Sequence, residues 1–224
     1  MKTVKIAIDG PSGAGKSFLA KKISEILGYV YIDTGALYRS IGYAVIENNI
    51  SPSDASSVIG FLDSINISFK HIDGLQHVFV NENDVTGNIR NNEVSAAASA
   101  VSAIPEVRKY LFGLQRSIAE TNNVVMDGRD IGTVILPDAD VKLFLTASVA
   151  SRANRRYLEL KESNSDITLD EVIESIIKRD KNDSERAVAP LKPAHDSVLV
   201  DNSEMTREET VDKVLKIIEN KINV

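Results

Sequence analysis

Apolar and polar positions change period several times along the chain, and each change marks an element. Val4, Ile6 and Ile8 alternate in a short apolar run, the pattern of a buried strand; Leu19, Ile23, Ile26 and Leu27 then recur at helical spacing. Tyr29 to Ile32 reads as a second strand ending at Asp33, Val124 to Met126 and Val141 to Leu145 as two more, and Val198 to Val200 as a last one. The closing helix opens on a capping box, Thr206 with Glu209, and carries Val211, Val214, Leu215 and Ile218 on one face. Strands separated by helical stretches predict an α/β fold with a central, mainly parallel sheet flanked by helices. The stretch from Ser51 to Ser102 breaks the alternation. There Ile65, Ile67 and Phe69 alternate with polar residues, Asp73-Gly74 gives a hairpin signal and Leu75 to Val80 a return strand, so a small antiparallel insertion is expected. A helix follows over Val94 to Ala103 and ends near Pro105, where a second helix is expected to start.

Composition narrows the picture. A chain of 224 residues fits one medium domain with insertions, and no internal repeat is evident. The net charge of -6 argues against a nucleic-acid binder, which draws its affinity from clustered positive charge, although a few local arginines suffice for a small phosphate ligand. There is no cysteine, so disulfides and thiolate metal sites are excluded, in keeping with a reducing compartment. Lys2 and Lys5 lead straight into a strand, unlike a signal peptide, and no apolar stretch approaches the ~18 residues of a membrane span. The expectation is a soluble, cytoplasmic protein, and a monomer because no long apolar stripe is left over. His71, His77 and His195 are isolated in the sequence and read as structural or surface residues.

The strongest chemical signal lies between the first strand and the first helix. Gly10-Pro11-Ser12-Gly13-Ala14-Gly15-Lys16-Ser17 matches the phosphate-binding loop pattern in the strand–loop–helix order that the pattern requires. Glycines let backbone N–H groups turn inward around a phosphate, and the helix N-terminus adds partial positive charge. Lys16 would reach the β- and γ-phosphates of a nucleoside triphosphate and the Ser17 hydroxyl would hold Mg²⁺. Asp127 ends an apolar strand, where such proteins keep a carboxylate near the metal's waters; alone it reads as readily as a turn aspartate. Arg129 and Asp130 follow it at the carboxyl end of the sheet, where ligands bind in open α/β folds. The arginines exceed the needs of one triphosphate. Arg39 follows the second strand, Arg152, Arg155 and Arg156 share a helical face, and Arg179, Asp183 and Arg186 would face one way if their helix continues. Transfer between two phosphates calls for such clamps, so the residues themselves support Mg²⁺-dependent phosphoryl transfer to a phosphorylated acceptor.

Four stretches, Asp9 to Ser17, Asp33 to Arg39, Asp127 to Thr133 and Arg186 to Leu191, resemble the motifs of bacterial cytidylate kinases, in order and along essentially the whole chain. That resemblance implies the nucleoside monophosphate kinase form of the P-loop NTPase fold. Its core would span about 1–33, 103–147 and 187–224, its monophosphate-binding segment about 34–102 and a helical lid about 148–186. It also implies a reaction, ATP with CMP or dCMP giving ADP with CDP or dCDP. Arg39, Arg129 and Arg186 would hold the CMP phosphate, Ser99, Arg108 and Asp130 would read the cytosine edge, and Arg179 and Asp183 would bind the ribose. Lys16 and the backbone from Ser12 to Ser17 would hold the ATP phosphates, with Arg152, Arg155 and Arg156 in or beside the lid. Thr34 stands in the substrate segment where many members carry serine, and the hydroxyl is kept. A kinase acting on UMP, AMP or a non-nucleotide acceptor shares this logic. A GTP-binding switch fits less well, since no Asn-Lys-x-Asp base-reading motif is present.

Overall fold

The computed structural model describes residues 3–72, 75–162 and 166–222. It divides into two compact units, Met1–Tyr31 with Thr121–Val224, and Ile32–Glu120.

The first unit is built on β1 (Lys5–Asp9), whose Ile6, Ala7 and Ile8 are all fully buried. A run without alternation is what a central parallel strand covered on both faces requires. The phosphate loop leads into α1 (Lys16–Leu27), which Gly28 ends in a left-handed conformation. β2 (Val30–Asp33) carries the chain into the second unit, where α2 (Thr34–Glu47) begins at once, its first turn capped by the Asp33 carboxylate accepting from the Ala36 N–H. Gly42 lets α2 approach a later helix closely, since an added Cβ would lie 2.9 Å from the Ala98 nitrogen. α3 (Ala55–Leu62) follows, and then a three-stranded antiparallel sheet of β3 (Ile67–Ile72), β4 (Leu75–Val80) and β5 (Asn83–Asp84). Asp73-Gly74, the expected hairpin turn, lies outside the described residues. Ile67 opposite Val80 and Phe69 opposite Val78 turn the apolar side of this sheet toward the unit's core. α4 (Asn92–Val101) and α5 (Pro105–Thr121) complete the unit, α5 starting at the proline.

Back in the first unit, β6 (Val124–Gly128) pairs with β1 in parallel, Ile8 opposite Asp127 and Asp9 opposite Gly128. That register brings the carboxyl end of β6 level with the root of the phosphate loop. A wide π-type turn, Ile131–Ile135, leads to β7 (Val141–Thr146), which flanks β1 on its other side. α6 (Val149–Glu162) and α7 (Leu169–Glu185) pack on each other around Ala153, Val172 and Ile176. β8 (Val198–Asp201) is one of the two edge strands, and α8 (Arg207–Ile222) returns to bury Val211, Val214 and Ile218 in the same cluster as Leu19 and Ile23 of α1. The sheet order is β2-β6-β1-β7-β8. The capping box that opens α8 is formed as expected, with reciprocal bonds of 2.8 and 3.1 Å between Thr206 and Glu209.

Candidate active site

Each glycine of the loop has a physical reason. Gly10 (φ +151°), Gly13 (φ +75°) and Gly15 (φ +88°) occupy conformations that L side chains rarely adopt, and a Cβ on Gly10 would lie 1.9 Å from the Leu145 carbonyl oxygen. Lys16 is buried to 6 % exposure and donates to the Pro11 carbonyl at 2.8 Å, folding back over its own loop. Burial, then the charge of Arg129, pushes its ammonium well below the ordinary lysine range, against the opposing pull of Asp127. Such a lysine gains most from a polyanion. Next to it, Ser17 Oγ donates to Asp127 Oδ2 at 2.9 Å, and Tyr31 donates to Asp127 Oδ1 at 3.0 Å. Nothing in the sequence singles out Tyr31. A phenol on a strand carries no local signal that it will reach a neighbouring strand's carboxylate.

A second group of charges surrounds the end of β6. Arg129 Nε donates to Asp183 Oδ2 at 2.8 Å, and Arg186 Nη2 reaches Asp130 Oδ1 at 3.4 Å. Burial pushes the Asp183 carboxyl up, but the charges of Arg129, Arg179 and Arg186 and the bond from Arg129 outweigh it and hold it below its ordinary value. Lys16, Arg129, Asp127, Arg179 and Asp183 thus form one electrostatic group. The expected helical face of Arg179, Asp183 and Arg186 is corrected in one respect: α7 stops at Glu185, and Arg186 is extended (φ −61°, ψ 141°), its Nε held by the Ala189 carbonyl. Arg186 therefore joins the group by leaving the helix.

The three arginines of α6 do different things. Arg152 is buried and spans the Ala147 carbonyl (2.9 Å), the Ser12 carbonyl of the phosphate loop (3.0 Å) and the Asp180 carboxylate of α7 (2.7 Å). Arg155 donates to the side chain and backbone of Asn202, whose amide in turn donates to the Ala14 carbonyl at 3.1 Å. Arg156 pairs with Glu159 at the surface. Sequence spacing shows a shared face and cannot show which carbonyls lie beneath it.

In the second unit, Arg39 pairs with Asp33 at 2.8 Å beside buried Thr34, at the first turn of α2. Gln76 of β4 lies close by, its Oε1 3.5 Å from the Asp33 nitrogen. Arg108 is buried, sits 5.5 Å from the centroid of the Tyr38 ring and donates to the Ser102 carbonyl. Ser99 lies half-buried on α4. His77 is not isolated, because its Nδ1 lies 2.7 Å from Asp84.

A glycine-rich phosphate loop at the carboxyl end of a parallel sheet, with a buried lysine and a cluster of arginines, defines a P-loop phosphotransferase. The family described as Cytidylate kinase matches residues 6–220. The chain is 47 % identical to the cytidylate kinase of Caldicellulosiruptor bescii, over 99 % of this chain and all of that one. It is 50 % identical to that of Caldanaerobacter subterraneus subsp. tengcongensis, over 96 % of this chain and 95 % of that one. In fold alone it is similar to the crystal structure of an uncharacterized protein from Eubacterium ventriosum, with a TM-score of 0.56, 14 % identity and coverage of 98 % and 99 %. The chain belongs to the cytidylate kinase family.

Proposed function

We propose that the protein transfers the γ-phosphoryl group of ATP to CMP or dCMP. The observation that carries this reading is the buried Lys16 inside a glycine loop at the carboxyl end of the parallel sheet, with the ion pair of Arg129 and Asp183 just past the end of the neighbouring strand β6. Lys16 and the loop N–H groups hold the donor phosphates. Arg129 and Arg186 bind the acceptor phosphate, as does Arg39, while Ser99, Arg108 and Asp130 read the cytosine and Arg179 and Asp183 the ribose. Arg155 and Arg156 act on the donor side. A phosphate oxygen of the acceptor is a competent nucleophile at neutral pH, so no general base is required; the residues position the two nucleotides and offset their charge. Ser17 Oγ and the Asp127 carboxylate are hard oxygen donors 2.9 Å apart, a fit for Mg²⁺ held by few protein groups and completed by phosphates. Bound there, Mg²⁺ offsets charge on the phosphate oxygens. Among the described residues no helix is long and apolar enough to cross a membrane.

The test is a panel of CMP, dCMP, UMP and AMP with ATP and Mg²⁺, scored for ADP formation. Turnover of UMP or AMP in preference to both cytidylates overturns the assignment. Residue roles are tested separately. Loss of Arg39, Arg129 or Arg186 is expected to weaken CMP far more than ATP, by about 1.5 to 3 kcal/mol each. Asp183→Ala is expected to penalise CMP more than dCMP, and Asp130→Ala to blunt discrimination between CMP and UMP, because unpaired polar groups no longer reject the wrong base.

A further inference from the structure

Asp9 closes β1 immediately before Gly10, and it is buried to 3 % exposure. Its two carboxylate oxygens each accept one backbone N–H at 2.7 Å, Oδ1 from Ile131 and Oδ2 from Gly132. Those amides open the wide turn that directly follows Arg129 and Asp130. The space is closed around them, since a Cβ on Gly132 would come 3.3 Å from Asp9 Oδ2 and 3.2 Å from Cδ of Lys142. Burying a carboxylate is costly, and a neutral side chain would have sufficed for one N–H. What the second acceptor adds is direction, since two parallel bonds fix the turn's rotation as well as its distance.

Side-chain bonds of this stretch reach α7 and the residue just past its end. Arg129 is tied to Asp183 on α7, and Asp130 to Arg186 just past its end. Gly128, just before Arg129, is already held in the sheet by its pairing with β1; the Asp9 side chain extends that hold past Arg129 and Asp130, to the Ile131 and Gly132 amides. We propose that Asp9 is a positioning residue for phosphoryl transfer, pinning the Ile131–Gly132 backbone to the root of the phosphate loop and so fixing Arg129 and Asp130 relative to Lys16. The proposal rests on the acceptor-binding roles given to Arg129 and Asp130 above.

Desolvation raises the Asp9 carboxyl to about 6, opposed by the two N–H bonds; Asp130 raises it further and Lys16 lowers it. Lys142, whose stem lies beside Gly132, has its own ammonium bound to Asp196 and the Pro137 carbonyl. Protonation of Asp9 removes one of the two acceptors, as substitution by asparagine does. The experiment measures kcat and KM for CMP and for ATP between pH 5 and pH 8 in wild type, Asp9→Asn, Gly132→Ala, Arg129→Ala and the two double variants with Arg129→Ala. At pH 8, Asp9→Asn is expected to lower kcat/KM for CMP by roughly 10- to 100-fold, the order of loss for reacting groups displaced by up to an ångström, with KM for ATP little changed. The ratio of wild type to Asp9→Asn is expected to shrink toward one as pH falls through about 6, and ionisation of the nucleotides cancels in that ratio. Adding Asp9→Asn to Arg129→Ala is expected to cost little more than Arg129→Ala alone. Wild-type kinetics in Asp9→Asn, a ratio independent of pH, or losses that multiply in the double variant would each overturn the proposal. Gly132→Ala crowds the same turn against the same carboxylate and the Lys142 stem by a few tenths of an ångström, without changing charge. If Asp9→Asn does not fold, Gly132→Ala must show the selective loss for CMP and the same lack of additivity, and wild-type kinetics there overturn the proposal. Unaltered CMP kinetics in Arg129→Ala would overturn the acceptor role of Arg129 and the proposal with it, whereas a selective CMP loss in Arg129→Ala beside wild-type kinetics in Asp9→Asn would overturn the proposal alone.

Discussion

Gly10 and Lys16 sit six residues apart in one loop and fail in opposite ways when changed. An alanine at Gly10 would put its Cβ 1.9 Å from a backbone oxygen at φ +151°, and neither strand can yield. Gly10→Ala is expected to lose more than about 4 kcal/mol of stability, read by denaturant melts, a large part of a domain's total. Lys16→Ala is expected to keep the fold and lower turnover by roughly 10² or more, read by circular dichroism beside steady-state kinetics, since it removes a preorganised cation from the developing charge. Asp9 adds a pH dependence. Its carboxyl titrates at about 6 when folded, against an ordinary 3.8, so the folded protein binds that proton more tightly. The stabilisation this gives is fully present below the unfolded value and is lost as pH rises through 6, on the order of 3 kcal/mol for the distance between those two values. The melting temperature of wild type minus that of Asp9→Asn is therefore expected to fall between pH 4 and pH 7. Asp183 has the opposite sign: its carboxyl is held low, so its contribution is present above the unfolded value and is lost as pH falls below the ordinary carboxylate range.

At the scale of elements, legibility followed the strength of the local pattern. β1, α1 and α8 were plain because apolar spacing, glycine chemistry and a capping box agree there. α3 and the two-residue β5 were missed, the first a helix of eight residues inside a stretch read as sheet, the second too short to show a period. The π-type turn at Ile131–Ile135 was invisible, because what opens it is a carboxylate 122 residues away in the sequence. α7 carries its own capping box, Thr168 with Glu171, a start signal that the sequence also holds. With α6 it encloses a small core that includes buried Ala153, Val172 and Ile176. Ile176→Ala is expected to cost about 2 to 5 kcal/mol locally and to speed amide exchange in α6 and α7 while leaving β1 protected, read by hydrogen-exchange mass spectrometry. Uniform loss of protection would mean that the helix pair unfolds only with the sheet.

Over the whole molecule, the sequence held the fold class, and it held none of the strand order. β6 and β7 lie either side of β1 although more than a hundred residues separate them from it, and only packing decides that. Spacing equally could not show that Asp130 meets Arg186 or that Asp183 meets Arg129, pairs that the sheet order brings together. The same order places Arg152 where one guanidinium bonds the Ser12 carbonyl and the Asp180 carboxylate. Donor binding at the loop and the folding of α7 then become two loads on one joint, and thermodynamic linkage requires each to shift the other by an equal free energy. ATP is expected to slow amide exchange in α7, and Asp180→Asn to weaken ATP binding and to remove that slowing by the same factor. Calorimetry and hydrogen exchange on this single variant would then report one coupling constant from two ends, and unequal values would mean that the loop and the helix are joined elsewhere.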